Sequence, residues 1–142
     1  LPAGRILLIE DNPADVFLIR EALREEHVDA SVDVVDHGDR ARRLIEEHRN
    51  SGDSCPNLVL LDLNLPGLDG LALLELMRDR NWCTRTPVIV FTSSESRLDY
   101  ERAMLLGVER FLHKGPGYEA FVNVGRIIKQ MLGPDPRTEP RA

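Results

Sequence analysis

Five short apolar runs recur along the chain, and stretches of helical periodicity separate them. The runs are Arg5–Ile9, Ser31–Val35, Asn57–Leu61, Pro87–Phe91 and Glu109–His113. Their length and their content of Leu, Val and Ile are those of buried strands. The second run alternates polar and apolar residues and the fifth is mixed, which places those two nearer a sheet edge. Between the runs the spacing of apolar residues becomes helical. Val16, Ile19 and Leu23 follow Asp11-Asn12-Pro13, a helix start with Asn12 as N-cap and Pro13 in the first turn. Leu73, Leu74 and Met77 line one face of a third helix, and Phe121, Val124, Ile128 and Leu132 one face of the last. A second helix, roughly residues 40–48, is charged over most of its surface. A fourth, 97–106, has Leu98, Leu105 and Leu106 as its apolar members.

Strands alternating with helices imply an α/β domain: a five-stranded parallel sheet, doubly wound, with helices on both faces. The domain is expected over residues 1–132. The remainder, 133–142, holds three prolines and no apolar face, and is expected to be disordered. The chain opens at Leu1 rather than Met, as a chain trimmed from something longer would.

Composition narrows the function classes. With 42% hydrophobic residues a core can be buried, but no apolar run approaches the ~20 residues that cross a bilayer, and no signal peptide is visible. A net charge of −6 argues against direct DNA binding through phosphate neutralisation. Cys55 and Cys83 are too few and too far apart for a disulfide scaffold or a zinc site. The expectation is a reduced, cytoplasmic protein.

In a parallel sheet the strand C-termini share one edge, and ligands bind in the crevice outside it. Here the first strand ends in Glu10 and Asp11, the third in Asp62, the fourth in Thr92 and Ser93, and the fifth in Lys114. Each residue has an ordinary explanation alone: Asp11 as a helix cap, Asp62 as loop chemistry, Lys114 as a solvated lysine. Their convergence has a simpler one. Two carboxylates ~4 Å apart repel by about 4 kcal/mol at an effective dielectric of 20. Three need protonation or a cation, and an open, oxygen-rich site suits Mg²⁺. An aspartate facing a metal that withdraws charge from a phosphoryl group is a credible nucleophile for an acyl phosphate.

The same residues resemble a known family. Glu10-Asp11, the run Asp62-Leu-Asn-Leu-Pro-Gly-Leu-Asp-Gly70, Phe91-Thr-Ser93 and Lys114 are similar in order and spacing to the receiver domains of bacterial two-component response regulators, over residues 5 to about 132. The resemblance implies the flavodoxin-like (βα)5 receiver fold. It makes Asp62 the acceptor of phosphate from a sensor histidine kinase, and gives Mg²⁺ to Glu10, Asp11, Asp62 and the backbone carbonyl of Asn64. Thr92 would follow the phosphoryl group, Lys114 would pair with it, and Phe111 would be the aromatic switch. Asn64 and Ser94 would tune the lifetime of the phosphoryl group. No enzyme activity is implied beyond self-phosphorylation from a donor and self-dephosphorylation. The run Ile9-Glu-Asp-Asn-Pro-Ala-Asp15 resembles single-domain regulators that partner phytochrome kinases, which act through a separate downstream protein.

Two positions depart from the family. Gly115 stands between Lys114 and Pro116 where proline usually follows the lysine directly, so a cis bond after Lys114 would be a costly non-proline one. The first acid is Glu10, long enough to reach the metal through water.

Phosphate at Asp62 would add negative charge near Thr92 and Lys114. Movement of Thr92 would let Phe111 turn inward and change the surface of helix 4, strand 5 and helix 5. A shift from mostly inactive to mostly active takes about 5.5 kcal/mol of differential stabilisation. Tyr100, Met104 and Phe121 are candidates for a symmetric dimer on that surface.

Two other function classes fit the residues less well. A phosphate-independent interaction module would leave the acidic site without purpose. A metal-dependent phosphohydrolase needs a general acid two residues after the nucleophile, where this chain has Asn64. A calcium loop starting at Asp62 fails because its twelfth position is Leu73. His27, His37, His48 and His113 form no ligand spacing, although His113 neighbours Lys114, and Trp82 and Cys83 read as packing.

Overall fold

The computed structural model describes residues 4–48 and 55–133. Of the expected disordered tail only Gly133 falls within that range. Ten elements alternate: β1 (Gly4–Ile9), α1 (Pro13–Glu25), β2 (Ala30–Val35), α2 (Gly38–Glu47), β3 (Leu58–Leu61), α3 (Gly70–Asp79), β4 (Val88–Thr92), α4 (Arg97–Leu105), β5 (Arg110–His113) and α5 (Glu119–Leu132). All strand pairs are parallel, in the order β2-β1-β3-β4-β5. The expected doubly wound sheet is present, with β2 and β5 at its edges.

Strand side chains alternate between two cores. Leu7, Ile9, Val59, Leu61, Val88 and Val90 face α2, α3 and α4, meeting Ile45, Leu74, Met77 and Ala103. Ile6, Leu8, Leu58, Leu60, Ile89 and Phe91 face α1 and α5, meeting Ile19, Leu23, Phe121, Val124 and Ile128. Each fully buried side chain of this size stabilises by about 1.5–3 kcal/mol. Burial on both faces explains why the central strands read as continuous apolar runs. Asn12 caps α1 through its side-chain oxygen, which accepts from the amides of Ala14 and Asp15, with Pro13 at the first helical position. Gly125 lets α5 approach α1: a Cβ there would stand 2.9 Å from the carbonyl oxygen of Ala22.

Three expectations are corrected. Cys55 and Cys83 form a disulfide, so neither is a reduced thiol in this structure. Cys55 leads into β3 and Cys83 into β4, and these strands are neighbours. Their parallel pairing brings residues 28 apart in sequence to a Cα separation of 5.6 Å. A side-chain nitrogen of His48 also lies within 4.8 Å of both sulfurs. While the sulfurs are bonded to each other, neither is a thiolate ligand.

The α4 helix is rotated from the expected packing. Leu98 and Leu105 are 61% and 87% exposed, whereas Ala103 is buried. At about 100° per residue, Leu98 and Leu105 share a face that lies about 140–160° from Ala103. The small residue therefore meets the sheet, and Leu106, just beyond the helix, is only partly buried. Phe121 cannot contribute to a dimer surface: it is 5% exposed and stacks edge-to-face on Phe91 at 5.1 Å within the α1–α5 core.

Among the described residues no peptide bond is cis, so Lys114–Gly115 is trans. Among them, too, no helix is long and apolar enough to cross a membrane.

Candidate functional site

The sheet order reverses between β1 and β3, and a crevice opens beyond their C-terminal ends. Such switch points are where doubly wound sheets bind ligands. Glu10 and Asp11 leave β1 there and Asp62 leaves β3. Carboxylate oxygens of Glu10, Asp11 and Asp62 all lie within 4.8 Å of one another. Glu10 is 1% and Asp62 6% exposed, whereas Asp11 faces solvent.

Lys114 reaches this cluster from the end of β5, steered by its amide, which donates to the Thr92 carbonyl at 2.8 Å. Its ammonium donates to Glu10 Oε1 at 2.5 Å, Asp15 Oδ2 at 2.8 Å and Asp62 Oδ2 at 3.0 Å. Burial pulls the ammonium pKa down, but the bonds to Asp15 and Glu10 outweigh it and hold it above the ordinary lysine range. Burial pushes the Glu10 carboxyl up to about 7, helped by the nearby charge of Asp62 and opposed by Lys114.

The β3–α3 loop is fixed by close contacts. The Asn64 amide donates to Asp62 Oδ1 at 3.1 Å, which orients the carboxylate. A Cβ on Gly70 would stand 2.5 Å from the Asp62 carbonyl oxygen and 2.6 Å from Leu63 Cα, so any larger residue would displace the loop. The Asn64 side chain approaches Thr92 Oγ1 at 3.5 Å and Ser93 Oγ at 3.3 Å. Thr92 is fully buried. Its hydroxyl oxygen accepts from the Ser94 amide at 3.2 Å, and Ser94 Oγ donates to Asp99 Oδ2 at 2.7 Å. Phe111 is half-buried, edge-to-face on Tyr100 of α4 at 5.3 Å. His113 stands beside the β4–α4 loop, with Nε2 3.3 Å from the Ser93 carbonyl oxygen.

Glu10, Asp11, Asp62, Thr92 and Lys114 thus gather at one sheet edge, as their strand-end positions foretold, with Asn64 beside Asp62 and Thr92, while Phe111 lies farther out against α4. Asp15 was missed. In sequence it reads as an ordinary acid in a first helical turn, and its partner lies 99 residues on.

The acids fit a small hard cation. An octahedral Mg²⁺ with 2.0–2.1 Å bonds sets its oxygens about 2.9–4.2 Å apart, inside the 4.8 Å that encloses the acids' oxygens here. Three carboxylates bind one ammonium and Asp11 stands beside two of them, so the site carries excess negative charge that a divalent ion would relieve.

Glu10 also makes the metal-free protein sensitive to pH. Its folded pKa of about 7 exceeds the ordinary 4.5, so between these values the folded state binds more protons than the unfolded chain. That contribution to stability is fully present below 4.5 and is lost as pH rises through 7. In EDTA, melting scans are expected to show a lower Tm at pH 8 than at pH 5.5. Addition of Mg²⁺ at pH 8 should recover the difference. A Tm that rises with pH in EDTA would refute this assignment.

Comparison with known proteins places these residues in a wider setting. A family model described as the response regulator receiver domain matches residues 6–124. Response regulator Rcp1 of Synechocystis sp. is 35% identical over 116 residues, 80% of this chain and 78% of that protein. A probable methanogenesis regulatory protein, FilR2 of Methanothrix harundinacea, is 33% identical over 125 residues, 88% of this chain and 81% of its own. Among solved structures, the phosphorylated cyanobacterial phytochrome response regulator RcpA superposes with a TM-score of 0.78 at 30% identity, covering 91% of this chain and 93% of that one. The Mn²⁺-bound form of Rcp1 gives 0.77 at 30% identity, covering 89% and 92%.

Proposed function

The chain belongs to the response regulator receiver family, a phosphoacceptor signalling family served by histidine kinases, and from that premise we propose that Asp62 is its acceptor. One observation carries the reading: Glu10, Asp11, Asp62 and Lys114 converge on a single point at the switch of the sheet. In the reaction, Asp62 Oδ attacks phosphorus, the bond from phosphorus to the donor breaks, and the donor leaves with that electron pair. The Asn64 amide on Oδ1 presents the carboxylate edge. Lys114 offsets charge on the phosphoryl oxygens, and the Thr92 hydroxyl donates to one of them. Glu10, Asp11, Asp62 and the Asn64 carbonyl would hold Mg²⁺, which when bound withdraws charge from the phosphoryl group. Small phosphodonors would also load Asp62, and water would later unload it.

The phosphodonor is a sensor histidine kinase, of the phytochrome type on our reading. Support comes from the similarity to Rcp1 and to the phytochrome regulator RcpA. The signal would leave through α4, β5 and α5. Thr92, drawn toward the phosphoryl group, frees space for Phe111, whose contact with Tyr100 couples it to α4. Exposed Leu98, Tyr100, Met104 and Leu105 give that face apolar area for a downstream protein or a second copy. A net charge of −6 disfavours DNA as the direct target, and the histidine-kinase donor is our ground for assigning the protein to the cytoplasm, with the Cys55–Cys83 bond an exception to its reducing conditions.

Intact mass after incubation with acetyl phosphate tests the acceptor. Wild type is expected to gain one phosphoryl group, dependent on Mg²⁺ and labile to base, and Asp62→Asn none. No adduct on wild type with Mg²⁺ bound would overturn the reading. Phosphorylated phytochrome kinase as donor tests the partner by the rate of transfer relative to unrelated kinases. Sedimentation of the loaded protein tests the dimer.

A further inference from the structure

Asp15 occupies the position three residues after the N-cap Asn12, where an acid ordinarily turns back to accept from the N-cap amide. Here half of that arrangement is present: the Asp15 amide donates to Asn12 Oδ1 at 3.3 Å. The reciprocal bond is diverted, because the Asn12 amide donates to Glu10 Oε2 at 3.2 Å. The Asp15 carboxylate instead accepts from Lys114 at 2.8 Å, with both side chains largely buried, at 20% and 10% exposure. An ammonium has three donors, and Glu10, Asp15 and Asp62 each take one.

These three partners are not equivalent. Glu10 and Asp62 belong with Asp11 to the group of acids close enough to share a cation, and Asp15 does not. In a metal-loaded site Glu10 and Asp62 would be engaged by the ion, directly or through water. Once phosphorylated, Asp62 also loses its charge. Asp15 is then the one of the three partners that neither the ion nor the phosphoryl group engages. We propose that Asp15 is a positioning residue for phosphoryl transfer, holding the Lys114 ammonium beside Asp62 in the metal-loaded site. The proposal rests on Asp62 being the acceptor. Asp15 touches neither the phosphoryl group nor the metal and acts through the lysine.

The test uses Asp15→Ala, Asp15→Asn and Asp15→Glu with Mg²⁺ and acetyl phosphate as probes. Mg²⁺ affinity by calorimetry is expected to stay within about fivefold of wild type, whereas the phosphorylation rate at saturating Mg²⁺ and donor falls roughly tenfold or more in the Ala and Asn variants. Asp15→Glu, which keeps the carboxylate, should recover most of that rate. The chain has two lysines, Lys114 and Lys129, so the Lys114 ammonium is readily assigned by ¹⁵N NMR. In Mg²⁺-loaded, unphosphorylated wild type it should exchange slowly, and in Asp15→Ala its signal should vanish. Unchanged rates in all variants, or Mg²⁺ affinity falling in step with rate, would overturn the proposal. If wild type takes up no phosphoryl group, the acceptor reading fails. The ammonium signal still reports whether Asp15 holds Lys114: its persistence in Asp15→Ala counts against the positioning role, its loss in favour.

Discussion

Lys114→Met is expected to destabilise the metal-free protein by about 3–5 kcal/mol, the usual cost of leaving buried charge without its partner. The side chain is 10% exposed and holds three carboxylates, so solvent screens little of the loss. Asp62→Asn should act in the opposite direction. It removes a repulsion of about 4 kcal/mol between carboxylates and gives up one charged hydrogen bond of about 1.5–3 kcal/mol. A net gain of about 1–2.5 kcal/mol should remain. Urea unfolding in EDTA at pH 8 separates the two. Mg²⁺ should restore much of the stability of Lys114→Met, because a ligand that binds only the folded state stabilises it by mass action. If both substitutions destabilise equally and Mg²⁺ rescues neither, the site does not carry excess negative charge.

Loss of the Cys55–Cys83 disulfide is the second large effect. Closing a loop between residues 28 apart removes unfolded-state entropy worth about 3–4 kcal/mol in the chain-entropy account. Cys55→Ser, Cys83→Ser and chemical reduction should therefore each lower Tm by roughly 10 °C or more, with the acidic site unchanged. The two serine variants should agree, since each deletes the same cross-link. A reduced protein melting at the same temperature as the oxidised one would show that the bond contributes nothing, or that it stores strain equal to its benefit.

How much of this was legible in sequence depended on whether the signal was local. β1, β3 and β4 announced themselves because strands buried on both faces read as uninterrupted apolar runs. Glu10, Asp11, Asp62, Thr92 and Lys114 were legible because a parallel sheet collects its strand C-termini, so the residue that ends each run is also a candidate ligand. The Asn12 cap was legible because capping is a matter of adjacent residues. What failed was whatever depended on partners far along the chain. The disulfide pairs the approaches to two neighbouring strands, and no spacing rule foretells it. The orientation of α4 was decided by Ala103 fitting against the sheet, not by the larger Leu98 and Leu105. Phe121 turned inward because Phe91 offers it an aromatic edge. Asp15 looked like a helix-start acid until Lys114 was seen to arrive from the other end of the chain.

Trp82 is the chain's one tryptophan, and its surroundings give the molecule a built-in optical reporter with a definite blind spot. It is buried in the α3–β4 loop, one residue from the bridged Cys83 and edge-on to the imidazole of His48 at 5.8 Å. A disulfide quenches indole emission on contact. The acids lie at the other end of the strands, about 15 Å away at roughly 3.3 Å per strand residue. Intrinsic fluorescence will therefore brighten on reduction of that bond. It will stay nearly silent when a cation enters the crevice, and a flat fluorescence titration with Mg²⁺ is no sign that the ion has failed to bind.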